Sequence, residues 1–254
     1  MSHSIPESDS KVAIVIGASG GIGRALVERY LEDSFITQVV AISQSANNLK
    51  SLSARFENPA LATFQCDYLE QSIANIVQDL EPFSGKIHQL CICNGVLHGD
   101  GFFPERRIEE LTTENLSKLF QINTITPMIW LKNMKPLLKA EHKVSAAVLS
   151  ARVGSIGDNR LGGWYSYRSS KAALNMLLKT LSIEFSRSMK NVQLYAFHPG
   201  TTDTLLSKPF QSRVPKDKLF EPQFVANQLV ELMMQTDDVG EMEFVDWQHK
   251  SIQW

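Results

Sequence analysis

The 254-residue chain carries 25 lysines and arginines against 27 aspartates and glutamates, a net charge of −2. That balance leaves no basic footprint for nucleic acid, and no apolar run approaches the ~20 residues that a membrane-spanning helix needs. The length suits one sizeable α/β core. Three cysteines, an odd number set in apolar strand-like runs, suit reduced thiols in a cytoplasmic protein rather than a disulfide framework or a metal site.

Residues 1–10 are polar, lack an apolar h-region and read as a flexible lead-in rather than a secretory signal; residues 11–254 then form one unit. Val12 to Ile16 is an unbroken apolar, β-branched run, as expected of a strand buried on both faces. It enters Gly17-Ala18-Ser19-Gly20-Gly21-Ile22-Gly23-Arg24 and then a helical stripe of Ile22, Leu26 and Tyr30. Strand, glycine loop and helix in that order make a phosphate site: the glycines allow close backbone approach, and the helix N-terminus offers free N–H groups.

Further strand-like runs fall at 38–42, 61–66, 87–93, 144–149, 192–197 and 242–245, with helical patterns between them, among them Ile73, Ile76, Val77 and Leu80. This alternation predicts an α/β fold, a doubly wound parallel sheet of about seven strands with helices on both faces and ligands at the carboxyl ends of the strands. Pro127, inside the long fourth helix, should bend it or start a second segment. Cys91 and Cys93 alternate along one strand and face the core.

Tyr167 and Lys171 lie four residues apart, so on a helix both rise from one face. An ammonium beside a phenol favours the phenolate, lowering a pKa that otherwise sits near about 10. A tyrosine so tuned exchanges a proton with an alcohol or carbonyl oxygen near neutral pH.

The spacing Gly17-x3-Gly21-x-Gly23 differs from G-x-G-x-x-G. Together with Tyr167-x3-Lys171, Asp67 after a strand, Asn123 in a helical stretch and Pro199-Gly200 after the sixth strand, it resembles the short-chain dehydrogenase/reductase family over nearly the whole chain. Gly154-Ser155-Ile156, the run Tyr167 to Asn175 and the aromatic-rich end from Phe244 to Trp254 resemble its carbonyl-reductase-like, C-factor-like branch. The resemblance implies a Rossmann-type fold and hydride transfer between a nicotinamide and a small or medium carbonyl or alcohol substrate. A non-catalytic dinucleotide-binding sensor on the same fold is the alternative.

By that resemblance Tyr167 is the general acid, Lys171 lowers its pKa and holds the nicotinamide ribose, and Asn123 anchors a water behind Lys171, unless it merely bonds its own helix. Gly17, Ser19, Gly20, Gly21, Ile22 and Gly23 hold the pyrophosphate. Asp67 meets the adenine amino group or, on local sequence, is a helix N-cap before Tyr68-Leu69-Glu70; Tyr68 beside it joins the cofactor set. Asn94, Gly95, Pro199, Gly200, Thr202 and Thr204 complete that set, the threonines toward the carboxamide or as loop caps. Pairing through the helices near 113–139 and 167–188 into a homo-oligomer is also implied.

Two departures stand out. The position three before Gly154, usually a catalytic serine, is Ala151, leaving Ser150 or Ser155 to steady the substrate oxygen. The family's Asn-Asn-Ala-Gly reads Ile92-Cys93-Asn94-Gly95, which removes side-chain ties between strands. The second strand ends Ser43-Gln44-Ser45 with no carboxylate to repel a 2′-phosphate, which favours NADP(H) over NAD(H), although neither Gly20 nor Gln44 supplies a cation. Residues 96–107 and 204–222 are candidate substrate segments; Pro209 and Phe210 suit a lid, Trp164 can line the pocket, and His98 is a loop histidine that could meet substrate.

Overall fold

The computed structural model describes residues 10–235 and 239–254; the expected lead-in lies outside them except for its last residue. Five consecutive apolar residues, each 0% exposed, form β1 (Val12–Ile16) at the centre of the molecule. Only a strand covered on both faces buries every side chain in this way. β2 (Gln38–Ser43) pairs with it on one side and β4 (Ile87–Ile92) on the other, both parallel. With β3 (Leu61–Gln65), β5 (Val144–Leu149), β6 (Val192–His198) and β9 (Glu243–Asp246), the sheet runs β3-β2-β1-β4-β5-β6-β9.

Helices cover both faces. α1 (Gly21–Leu31), α2 (Ala46–Phe56) and α7 (Pro222–Met234) pack on the side of Val15, Ala41 and Phe197. α3 (Glu70–Asp79), α5 (Thr126–Met134) and α6 (Tyr165–Ser188) pack on the side of Ile14, Ile16 and Val148. The strand order changes direction between β1 and β4, so the glycine loop after β1 and the turn after β4 border one crevice. A small parallel pair, β7 (Thr201–Thr202) with β8 (Leu219–Phe220), folds the segment after β6 back over that crevice. Cys91 is fully buried and meets the Tyr30 hydroxyl at 3.3 Å.

The long fourth helix is broken, as its proline requires. α4 (Thr113–Phe120) passes through one wide π turn, Gln121–Ile125, before α5 begins. Pro127 has no N–H to give the carbonyl four residues back, that of Asn123, so the regular ladder cannot continue there. The leucine pattern of α6 divides: Leu174 and Leu178 are core, while Leu177 is exposed.

The start of α6 is pinned from a distance. Trp164, which precedes it, has φ +53, and no side chain of its own caps the helix. Glu105, only 2% exposed, does so from the loop after β4: its carboxylate accepts from the Ser166 backbone N–H at 3.1 Å and from the Ser166 hydroxyl. Its backbone carbonyl accepts from Trp164 N at 2.5 Å. A carboxylate at a helix N-terminus satisfies orphan donors and complements the dipole. Replacing Glu105→Ala leaves these buried donors unpaired, and denaturant titration should show a loss of about 2–3 kcal/mol; an alanine variant as stable as the parent would refute this anchor.

Candidate active site

The proton-transfer pair sits at the first turns of α6. Tyr167 is 7% exposed and Lys171 3% exposed. The Lys171 ammonium donates to the Leu149 carbonyl, at the end of β5, at 2.8 Å. A Cβ placed on Gly95 would stand 3.6 Å from Lys171 Nζ and 3.5 Å from Asn123 Oδ1, so these three residues converge behind the tyrosine. Asn123 does not bond its own helix. Its Oδ1 accepts from Val96 N at 2.8 Å, and its Nδ2 donates to Val96 O at 2.9 Å and to Ser170 Oγ at 3.2 Å.

Burial dominates the electrostatics of the pair. It lowers Lys171 from 10.5 to about 8 and raises Tyr167 from 10.0 to about 12. The expectation of a depressed tyrosine pKa is therefore corrected for this conformation: desolvation of the phenol outweighs an ammonium that is already spent on Leu149.

The glycine loop forms the opposite wall. Gly17 has φ +82, and a Cβ there would lie 2.9 Å from Asn94 N; a Cβ on Gly23 would lie 2.2 Å from the Gly17 carbonyl. A side chain is thus excluded at Gly17 and Gly23, and α1 starts at Gly21 with no side-chain cap on its first N–H groups. Thr204, from the segment after β7, brings its methyl against Gly21.

Asn94 donates to the Ile122 carbonyl at 3.0 Å, while its Oδ1 is buried without a partner among the described residues. Asn94 and Asn123 thus tie the end of β4 to the π turn, a tie that Ile92 and Cys93 cannot make. Together these features make a cradle that fits a dinucleotide: glycines where a Cβ would collide, free helix N–H groups and, at Asn94 on the cavity lining, a polar atom without a partner among the described residues.

At the end of β2, the hydroxyls of Ser19 and Ser43 share a 2.5 Å hydrogen bond. Gln44 donates instead to the Asp67 backbone carbonyl at 2.8 Å. The Asp67 carboxylate accepts from Leu69 N at 2.9 Å, and that bond, followed by one with the Ser72 hydroxyl, holds its pKa low. Its side chain thus closes a turn ahead of α3 rather than serving as the helix N-cap, which is Leu69. Tyr68, with φ +68, packs edge-on to Trp130 at 5.9 Å, its ring turned into the core.

One cavity of about 1240 Å³ gathers most of these residues: Ser19 to Gly23, Asn94, Gly95, Tyr167, Lys171, Pro199, Gly200, Thr202 and Thr204. Asn123 stands behind Gly95, and Asp67, Tyr68, Ser43 and Gly17 lie outside its lining. Ala151 lines it and packs against Tyr167 together with Leu97 and Phe102, so a methyl group occupies the place where a serine was expected. Ser150 lines the cavity too, but its hydroxyl donates to Asn175 Oδ1 at 2.6 Å. Ser155 is not in the lining; its hydroxyl accepts from Asp158 N at 3.0 Å and so closes a turn.

The substrate side is aromatic. From Tyr167 the rings run to Trp164 at 6.2 Å, from Trp164 to Phe210 at 5.0 Å, and from Phe210 to Phe103 at 6.3 Å between centroids. His98 does not project freely. Its Nε2 lies 3.2 and 3.1 Å from the carbonyls of Leu205 and Leu206, joining the two candidate substrate segments.

Two residues went unnoticed in the sequence. Glu105 acts across 61 positions, a distance over which no local pattern speaks. His198 lines the cavity at the end of β6, its pKa pushed down to about 4, first by burial and then by Arg152. Its place directly before Pro199-Gly200, at the mouth of a central strand, was the available signal. No cluster of three His, Cys, Asp or Glu suited to a metal occurs among the described residues.

A family profile described as short chain dehydrogenase matches residues 11–214. Over 197 residues the chain is 29% identical to a 1-hydroxy-2-glutathionyl-2-methyl-3-butene dehydrogenase of Rhodococcus sp. (strain AD45), covering 78% of this chain and 80% of that protein. It is 26% identical over 255 residues to a benzil reductase, (S)-benzoin forming, of Bacillus cereus, covering 92% and 98%. Of the solved structures, the carbonyl reductase Sniffer of D. melanogaster has a TM-score of 0.81 at 21% identity, covering 98% of this chain and 100% of that one. The NADPH-bound carbonyl reductase from chicken fatty liver has a TM-score of 0.79 at 23% identity, covering 96% and 99%. At those identities the two structures speak for the fold; the profile, which runs from β1 through the glycine loop and the Tyr167–Lys171 pair into the segment over the crevice, speaks for the family. The chain belongs to the short-chain dehydrogenase family of oxidoreductases.

Proposed function

We propose that residues 11–254 act as one catalytic unit that reduces a ketone or aldehyde bearing an aryl or similarly bulky apolar group, with NADPH as the hydride donor. The observation that carries this reading is the row of rings, Trp164, Phe210 and Phe103, leading away from Tyr167 along one wall of the cavity. Such a wall rewards flat apolar substrates through burial and edge or stacked contacts. The Bacillus cereus relative is in accord, since benzil is a diketone flanked by phenyl rings.

The bound nicotinamide would supply the hydride to the carbonyl carbon. The chain's own residues handle the proton. Tyr167 Oη donates to the carbonyl oxygen, and a phenol held near about 12 carries that proton throughout the physiological range, which suits the reductive direction. Proton loss leaves a phenolate one helical turn from the Lys171 ammonium, whose positive charge stabilises the negative charge that develops. Asn123, bridging to Val96 behind Gly95, keeps the lysine's surroundings in place, and the carbonyl that Pro127 leaves without its regular donor is the acceptor for a water linking Lys171 to solvent. Between the two serines, Ser150 is the one that lines the cavity and could turn its hydroxyl from Asn175 toward a substrate oxygen.

On this reading Gly17 to Gly23 hold the pyrophosphate, Asp67 and Tyr68 flank the adenine, and Thr202 and Thr204 meet the carboxamide. The paired hydroxyls of Ser19 and Ser43, with no carboxylate at the end of β2, suit a 2′-phosphate.

In assays of NADPH consumption with aryl ketones and aldehydes, Tyr167→Phe should lower turnover at least ~100-fold while leaving cofactor binding intact. A phenylalanine variant that turns over like the parent would remove Tyr167 from the mechanism. Titration of the two cofactors should give a smaller dissociation constant for NADPH than for NADH; the reverse order would overturn the assignment of the serine pair.

A further inference from the structure

The charged groups around the cavity do not balance. Five of its lining side chains carry formal charge: Arg106, Glu110, Arg152, Lys171 and Arg213. Three are already engaged. Glu110 accepts from Arg107 Nε at 3.2 Å and from the Arg106 backbone N–H at 2.8 Å. Arg152 is held between Asp158 at 3.1 Å and Asp246 at 2.9 Å. Lys171 donates to Leu149. The guanidinium groups of Arg106 and Arg213 have no acidic partner among the described residues, and both residues are exposed at the cavity rim.

Their positions are tied to the aromatic wall. Arg213 lies three residues after Phe210 on the 3₁₀ turn Lys208–Arg213, where side chains three apart eclipse one another. Arg106 follows Glu105, the buried residue bonded to Trp164 and Ser166. Its own backbone stands beside Gly163, 3.6–3.8 Å from where a Cβ would sit. One arginine is therefore tied to Phe210 and the other to the segment that contacts Trp164, so both flank the row of rings that begins at Tyr167.

We infer that the substrate carries an anionic group, such as a carboxylate, on the end remote from the reacting carbonyl, and that Arg106 and Arg213 recognise it. A guanidinium offers a forked pair of donors matched to a carboxylate, and two uncompensated cations at the mouth of a cleft also concentrate anions there. This inference rests on the aryl carbonyl reading of the cavity and adds the charge of the substrate to it.

The test compares benzoylformate with its methyl ester, the same aryl ketone with and without the charge. Both are assayed on the wild-type enzyme and on Arg106→Ala, Arg213→Ala and the double variant. The expected result is a rise in KM for the keto acid of about 10-fold in the double variant, roughly the loss of one charge-assisted contact. The kcat/KM for the ester and the NADPH dissociation constant should stay within about twofold, the scatter expected when no contact is lost. Equal effects on acid and ester, no effect on either, or a weakened NADPH affinity would overturn the assignment.

Calorimetric binding of the two ligands to the enzyme with NADP⁺ separates this inference from the reading beneath it. Wild-type preference for the anion that disappears in the double variant, without turnover of either compound, would keep the anion site and sink the reductase. Turnover of both compounds with no preference for the anion would do the reverse.

Discussion

The arrangement depends on one costly placement, the Lys171 ammonium buried against the Leu149 carbonyl. A charge at 3% exposure with a single carbonyl partner and no carboxylate is disfavoured. The fall of its pKa from 10.5 to about 8 corresponds to roughly 3 kcal/mol at 1.36 kcal/mol per unit. Nothing in the packing of β5 against α6 calls for a lysine there; an apolar side chain would fill the space. What calls for it, on the proposed mechanism, is the Tyr167 phenol one turn earlier, whose proton burial holds tightly.

Everything around this placement serves to hold it. Glu105 pins the start of α6, which carries both groups, and does so from the loop that also carries Phe103 and Arg106. The π turn, opened where Pro127 cannot donate, lets Asn123 reach across to Val96 and Ser170. Thr124 adds a bond from its hydroxyl to the Ser170 carbonyl at 2.7 Å. α6 is thus clamped at its first turns to the fourth helix and to the end of β4, while the glycine loop closes the other side of the crevice. His98, between the carbonyls of Leu205 and Leu206, joins the two substrate segments into one roof.

Much of this was legible in the chain because it is written in periodicity. The runs read at 144–149 and 61–66 became β5 at Val144–Leu149 and β3 at Leu61–Gln65, since short, mostly apolar runs between helical patterns have few other homes. The phosphate loop and the Tyr167–Lys171 turn were readable for the same reason: each is a local pattern. What escaped is non-local. The anchor by Glu105 spans 61 residues, and the tyrosine pKa follows from how much of the fold lies over it rather than from its neighbour four residues on. Ser150 and Ser155 both stood open in the chain; the structure separates them, since Ser150 lines the cavity while Ser155 closes a turn with Asp158 outside it. Pro127 reads as bending the helix or starting a second segment, and a second helix does start there; the π turn before it, which gives Asn123 its reach, was not legible.

The measurement that bears most directly on this account is the pH dependence of stability in the wild type and in Lys171→Met. The folded pKa near about 8 lies below the unfolded value of 10.5, so the burial cost is fully present below pH 8. Between those values the unfolded chain binds more protons, and wild-type stability gains from Lys171 as pH rises. Methionine removes both the cost and the gain. Even after leaving the Leu149 carbonyl without its donor, at about 1–3 kcal/mol, the variant should be no less stable than wild type at pH 7. It should also lack the added rise between 8 and 10.5, and it should have lost turnover. A methionine variant that unfolds far more easily at pH 7, with the same pH profile as wild type, would contradict the claim that this lysine is held in place for chemistry rather than for the fold.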